Sequence, residues 1–259
     1  MEPIGALIFV LFGLLVGVTA TRFGIGGSII SIPFFRIVFG MSGQAAIATA
    51  LPITVPTALS GAVVFYRKKL IKIKTTITAG VVGSFFSILG AYFTEYFTSD
   101  QLMIIMSLLF FVLAYIVHKA PWRDKKVEVM PLHEKAMYTI LIGIVAGFLS
   151  GFLGIGGGVI LVPMLAAIRH IPLKKAIPTS LAIIAIYAIP GSFAHYMLGN
   201  MDTGIVTFVL LGSIVGAHIG AYKTMKERES ELGNAFATLL VILGSTLLAY
   251  ELVQLALAG

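Results

Sequence analysis

The chain contains no cysteine, which excludes a disulfide, a thiolate metal site and a cysteine nucleophile. Charge is scarce as well: Asp, Glu, Lys and Arg make up only 11% of the 259 residues, against 58% hydrophobic, and the mean hydropathy is +1.02. No water-soluble domain of this length keeps so few charges, so the solvent for most of the chain is lipid. Ten-residue segments of alternating apolar and polar residues, the mark of a membrane barrel, are absent as well. Helices are left as the structure that satisfies its own backbone in lipid. Carboxylates are missing from the middle of the apolar runs. Glu95, Asp100 and Glu251 all stand near run ends, so no acid is obviously placed for proton or sodium coupling. His-Glu-x-x-His, Gly-x-Ser-x-Gly and an intramembrane acid pair are lacking too, which argues against an enzyme. No cofactor is implied.

What is present is a series of apolar runs, each close to the roughly 20 residues that a spanning helix needs. The first, 4–21, follows Glu2 rather than a basic stretch, and is expected to be a mature helix rather than a cleaved signal. The chain is basic, with a pI near 9.6. Its Lys and Arg residues sit between apolar runs rather than along one stripe, which fits membrane-flanking loops and excludes nucleic acid as an expected partner.

A shift of 130 positions lays Gly13 on Gly143, Gly17 on Gly147, Gly24-Ile25-Gly26-Gly27 on Gly154-Ile155-Gly156-Gly157, and Pro33 on Pro163. The register continues without a gap through Thr49 and Thr179, Gly61 and Gly191, and Gly90-Ala91-Tyr92 and Gly220-Ala221-Tyr222. The chain is therefore expected to hold two copies of one unit, 1–120 and 137–259, joined by a linker at 121–136. Each copy divides into five apolar segments, in the first near 4–21, 25–41, 45–66, 75–97 and 101–118. If all five span, every basic residue except Arg36 falls on one side of the membrane. A re-entrant second segment breaks that bias. The predicted fold is an all-α integral membrane protein of about ten transmembrane helices in two inverted five-helix repeats. Both termini are then outside the cytoplasm, in the plasma membrane of the cell.

In both copies a glycine cluster ends one helix and opens a short one that carries a proline. Broken helices at matching positions point to a transport site, and helix starts favour anions. Gly24, Gly26, Gly27 and Ser28, with Gly154, Gly156, Gly157 and Gly158, are the first candidates for contact with a small anion. The alternative is a tight interhelical turn. Neither cluster is followed by Lys-Ser or Lys-Thr, so a nucleotide loop is rejected. Gly143, Gly147 and Gly151, like Gly212, Gly216 and Gly220, recur every four residues and read as packing grooves. Thr49, Thr179 and Ser180 stand near ladder-breaking prolines, where hydroxyls can coordinate anion oxygens or bond their own helix carbonyls. Arg36 can attract an anion or snorkel to headgroups. His218, aligned with Ile88, is a candidate proton relay or a neutral side chain bonded to a carbonyl.

The paired Gly-Ile-Gly-Gly signatures, the proline after each, and the Ala-rich third segments with Thr49 and Thr179-Ser180 resemble the TauE/SafE family of sulfite and organosulfonate exporters over essentially the whole chain. The resemblance implies export or exchange of small sulfur-containing anions such as sulfite, sulfonates or thiosulfate. Ser28 replaces the third consecutive glycine seen at Gly158, so two unequal half-sites are expected. A passive anion channel remains the alternative. Substrate, direction, coupling ion and oligomeric state are not selected by the sequence.

Overall fold

The computed structural model describes residues 3–119 and 132–258. Most of the predicted linker 121–136, including Arg123, Lys125 and Lys126, lies outside the described residues.

Among the described residues every long element is a helix: α1 (Pro3–Phe23), α2 (Ser28–Phe39), α3 (Gly43–Arg67), α4 (Ile73–Phe93), α5 (Ser99–Lys119), α6 (Leu132–Leu153), α7 (Gly158–Ala167), α8 (Leu173–Met197), α9 (Thr203–Lys226) and α10 (Glu229–Ala258). Local signals set their ends. The Ser42 hydroxyl accepts from the Ala45 amide and starts α3, while the Asp202 carboxylate accepts from the Gly204 and Ile205 amides and starts α9. Seven helices are long and apolar enough to cross a membrane, from 18 residues at Ala136–Leu153 to 29 at Glu229–Leu257. The apolar stretch Leu7–Phe23 of α1 is shorter. The remaining two, α2 with 12 residues and α7 with 10, are only about 18 and 15 Å long at 1.5 Å per residue, roughly half a hydrocarbon core of about 30 Å. The sequence predicted ten spanning helices; among the described residues seven reach that length, and the glycine clusters account for two of the three shorter ones, α2 and α7.

Small residues decide which helices meet. Gly13 and Gly17 of α1 lie against the backbone of Val209 and Ser213 in α9, while Gly212 and Gly216 of α9 lie against Val10 and Leu14. Both sets of numbers rise together, so α1 and α9 run parallel. The same pattern joins α4 to α6, through Gly143 on Ala79, Gly147 on Gly83 and Gly151 on Ser87. Lipid tails are as apolar as leucine, so close backbone approach supplies the attraction that water would otherwise provide. The first helix of each predicted repeat therefore packs on the fourth helix of the other. The two stretches share one interior, in which Phe9, Ile25 and Phe35 meet Leu153, Val209 and Phe236. Outward-facing Leu, Ile, Val and Phe side chains, such as Leu11, Val81, Phe193 and Val215, remain half exposed or more and meet lipid tails.

Candidate functional site

The two glycine clusters meet. A methyl group at Gly158 would strike the Gly24 carbonyl and the Ile25 backbone, and one at Gly156 would lie 3.3 Å from the Ile25 carbonyl. Residues 24–28 and 154–158 are all buried. Gly26 and Gly156 have φ of +76° and +64°, a left-handed conformation that only glycine adopts without strain. Both turn around one side chain, Thr54. The Thr54 hydroxyl accepts from the Gly27 amide at 3.3 Å and the Ser28 amide at 3.1 Å, which satisfies two of the otherwise orphaned donors at the start of α2. Thr54 stands midway along α3, so α2 begins level with the middle of that long apolar helix.

The second hinge is built differently. Gly157 is left-handed where Gly27 is right-handed, and the Tyr187 hydroxyl donates to the Gly156 carbonyl at 2.7 Å. The Gly156 and Gly157 amides donate to no acceptor among the described residues. Ser28, fully buried, has no hydrogen-bond partner for its hydroxyl, and that oxygen lies 3.3 Å from where a methyl at Gly156 would stand. A buried hydroxyl without a partner costs roughly 1–3 kcal/mol. Donors without acceptors on two buried turns that touch are an arrangement that an anion can satisfy. The Ser180 hydroxyl donates to the Gly24 carbonyl and ties α8 to the first hinge.

Replacing Thr54 with valine keeps the volume and deletes the acceptor for both amides. We expect the Thr54→Val protein to lose roughly 1–3 kcal/mol of stability, read as a lower melting temperature in detergent.

The remaining sequence candidates fall elsewhere. Thr49 and Thr179 are buried, but they do not join the hinges: Thr49 accepts from the Asp202 amide and Thr179 from the Lys72 amide, each at 3.1 Å. Asp202 and Lys72 are the residues on which α9 and α4 begin, so in this structure these hydroxyls anchor helix starts. Arg36 neither snorkels nor offers a free charge. Its guanidinium grips both carboxylate oxygens of Glu251 at 2.7 and 2.8 Å, reaches Asp100 at 2.9 Å and donates to the Met41 carbonyl at 2.9 Å. Glu251 stands near the end of its helix, as expected, yet its side chain is 0% exposed because the Arg36 guanidinium covers it. His218 is exposed on α9, with Nδ1 2.7 Å from the Ser60 hydroxyl. It does not touch the hinges.

Sequence reasoning missed Thr54 and Tyr187. It looked for chemistry repeated in both copies, and their counterparts under the shift are Ile184 and Thr57. For Thr54 the available signal was a polar residue in the middle of a third segment aligned with an apolar one, Ile184, in the other copy.

No solved structure matches the chain. Curated proteins that it resembles are named as probable membrane transporters. Probable membrane transporter protein YunE of Bacillus subtilis is 26% identical, over 95% of this chain and 97% of its own. A probable membrane transporter protein of Methanocaldococcus jannaschii is 23% identical, over 92% and 93%. YjnA of Bacillus subtilis, also named a probable membrane transporter protein, is 27% identical over 92% and 98%. The family model described as sulfite exporter TauE/SafE matches residues 9–247. With its spanning helices and its interlocked glycine grooves, the chain belongs to the TauE/SafE family and is a multi-pass membrane protein of a transporter family.

Proposed function

We propose that this protein is a secondary transporter of small sulfur-containing anions, such as sulfite or an organosulfonate, working by alternating access in the cytoplasmic membrane. In this reading the chain crosses in ten segments as two inverted repeats, with α2 and α7 as half-helices and the basic loops and linker on the cytoplasmic side. The observation that carries it is the meeting of the two glycine hinges around Ser28, whose buried hydroxyl is unpartnered. A tetrahedral or pyramidal oxyanion accepts several hydrogen bonds at once. A hydroxyl from one hinge and the amides of Gly156 and Gly157 from the other supply donors on two sides of it. The hinges are sealed in this conformation, so release to either side requires helix movement, as a carrier does.

Transport into liposomes tests this. Purified protein is expected to carry labelled sulfite or a sulfonate above empty vesicles, with or without a pH gradient. The Ser28→Ala variant is expected to transport about tenfold less at low substrate, the cost of one hydrogen bond to a charged ligand. Its melting temperature is expected to hold or rise, because the change removes an orphaned hydroxyl. Absence of uptake in either orientation would overturn the substrate assignment, and unitary currents in planar bilayers would replace the carrier with a channel.

A further inference from the structure

A second polar site lies away from the hinges, where α3 and α9 pass each other near the basic end of the molecule. A pocket of about 240 Å³ opens there, lined by Val63, Val64, Arg67, Lys68, His218 and Tyr222, with room for roughly eight waters. Its surroundings face lipid: Tyr66 is 63% exposed and Val215 54%, and Ile219 is exposed beside them. Two cations, a histidine and a tyrosine thus ring a cavity whose outer walls are apolar. The Ser60 hydroxyl, 3.1 Å from the Ile214 carbonyl and 2.7 Å from His218 Nδ1, holds the imidazole in place. The other ring nitrogen, like both cations, has no described partner.

The matching positions in the other copy make the feature specific. Under the shift of 130, Arg67 and Lys68 correspond to Met197 and Leu198, and His218 to Ile88, whereas Tyr222 keeps its tyrosine as Tyr92. The groove between α8 and α4, related to this one by the repeat, therefore has no positive charge at these positions. A general need to cap a helix end would have placed cations in both. Of the two related grooves, the one between α3 and α9 carries cations at these positions and the other does not.

We propose that this α3–α9 groove binds the phosphate headgroup of an anionic phospholipid, with Arg67 and Lys68 on the phosphate, the His218 ring beside it and the acyl chains along Val63 and Val215. Such a lipid bridges two helices that also meet through the Thr57 and Ser213 hydroxyls at 2.8 Å. A soluble anion has the same headgroup chemistry but gains nothing from the apolar walls, so the lipid is favoured.

The purified protein in neutral detergent is titrated with dioleoyl-phosphatidylglycerol, with the phosphatidylcholine of the same chains, and with inorganic phosphate, while its melting temperature is followed. Phosphatidylglycerol is expected to raise the midpoint in a saturable way, and the other two to raise it far less. The double change Arg67→Gln with Lys68→Gln, both at exposed positions, is expected to require at least about tenfold more phosphatidylglycerol for the same shift. A control with Lys174→Gln and Lys175→Gln, elsewhere at the basic end, is expected to respond as the unaltered protein does. Equal responses to the two lipids, an unchanged response in the Arg67 and Lys68 variant, or the same loss in the control would overturn the site. A shift with inorganic phosphate as large as with phosphatidylglycerol would overturn the lipid and leave a soluble anion. If the double variant does not fold, the comparison of the three ligands on the unaltered protein still decides.

Discussion

Changing Arg36 to Gln is expected to destabilise the protein by roughly 3–5 kcal/mol, because it leaves the Glu251 carboxylate buried and unpaired. The side chain of Glu251 is 0% exposed and that of Arg36 11%, so little water is at hand to take over the lost bonds. Asp100, with a side chain 43% exposed, contributes little by comparison, as half-exposed pairs do. The geometry allows a sharper test than the single variant. The double change Arg36→Gln with Glu251→Gln removes both charges and keeps a hydrogen-bonding pair of similar shape, so it is expected to recover most of the loss. Melting curves in detergent for the two singles and the double complete the cycle. If Arg36→Gln alone melts where the unaltered protein does, the ion pair is not what fastens α2 to α10.

The second large effect is expected on transport. Valine at Gly156 meets two obstacles: a φ of +64° that costs a side chain about 1–2 kcal/mol, and the Thr54 methyl, 2.9 Å from where its Cβ would lie. The added side chain crowds the Ser28 hydroxyl, which lies 3.3 Å from where its Cβ would stand. With at least two hydrogen bonds to a charged ligand gone, uptake of sulfite or a sulfonate is expected to fall by roughly a hundredfold or more. Strain alone is controlled by Gly199→Val, which has the same handedness with a φ of +80° and open space around it. That variant is expected to fold less well yet to transport. Equal loss of uptake in both variants, tracking loss of folded protein, would assign the hinge to architecture rather than to a ligand.

The meeting of the two hinges was legible in the sequence only as far as their matching positions. Composition announces lipid as solvent, and an ungapped register exposes the glycine clusters, because helices broken in lipid need glycine at fixed places. What stays hidden is whatever depends on partners far along the chain. The acid that holds Arg36 lies 215 residues away, and nothing local to Arg36 distinguishes an ion pair from a free cation. Thr49 and Thr179 drew attention by being symmetric, and they are symmetric, but for the purpose of starting α9 and α4. Thr54, around which Gly26 and Gly156 both turn, was passed over because its counterpart is Ile184. Symmetry locates scaffolding well and is blind to chemistry present in one copy alone. His218 and the cations beside it belong to that asymmetric class too.

The pairing of α1 with α9 also governs how the protein can be made. On emergence from the ribosome α1 carries a strip of bare backbone along Gly13 and Gly17 whose mate has not been translated. It must wait in the bilayer until α9, ending at Lys226, has been inserted. Newly inserted helices therefore cannot settle in order of synthesis, and the N-terminal stretch has no finished resting state of its own. A gene cut within 120–131 would encode two fragments that fold only in each other's company.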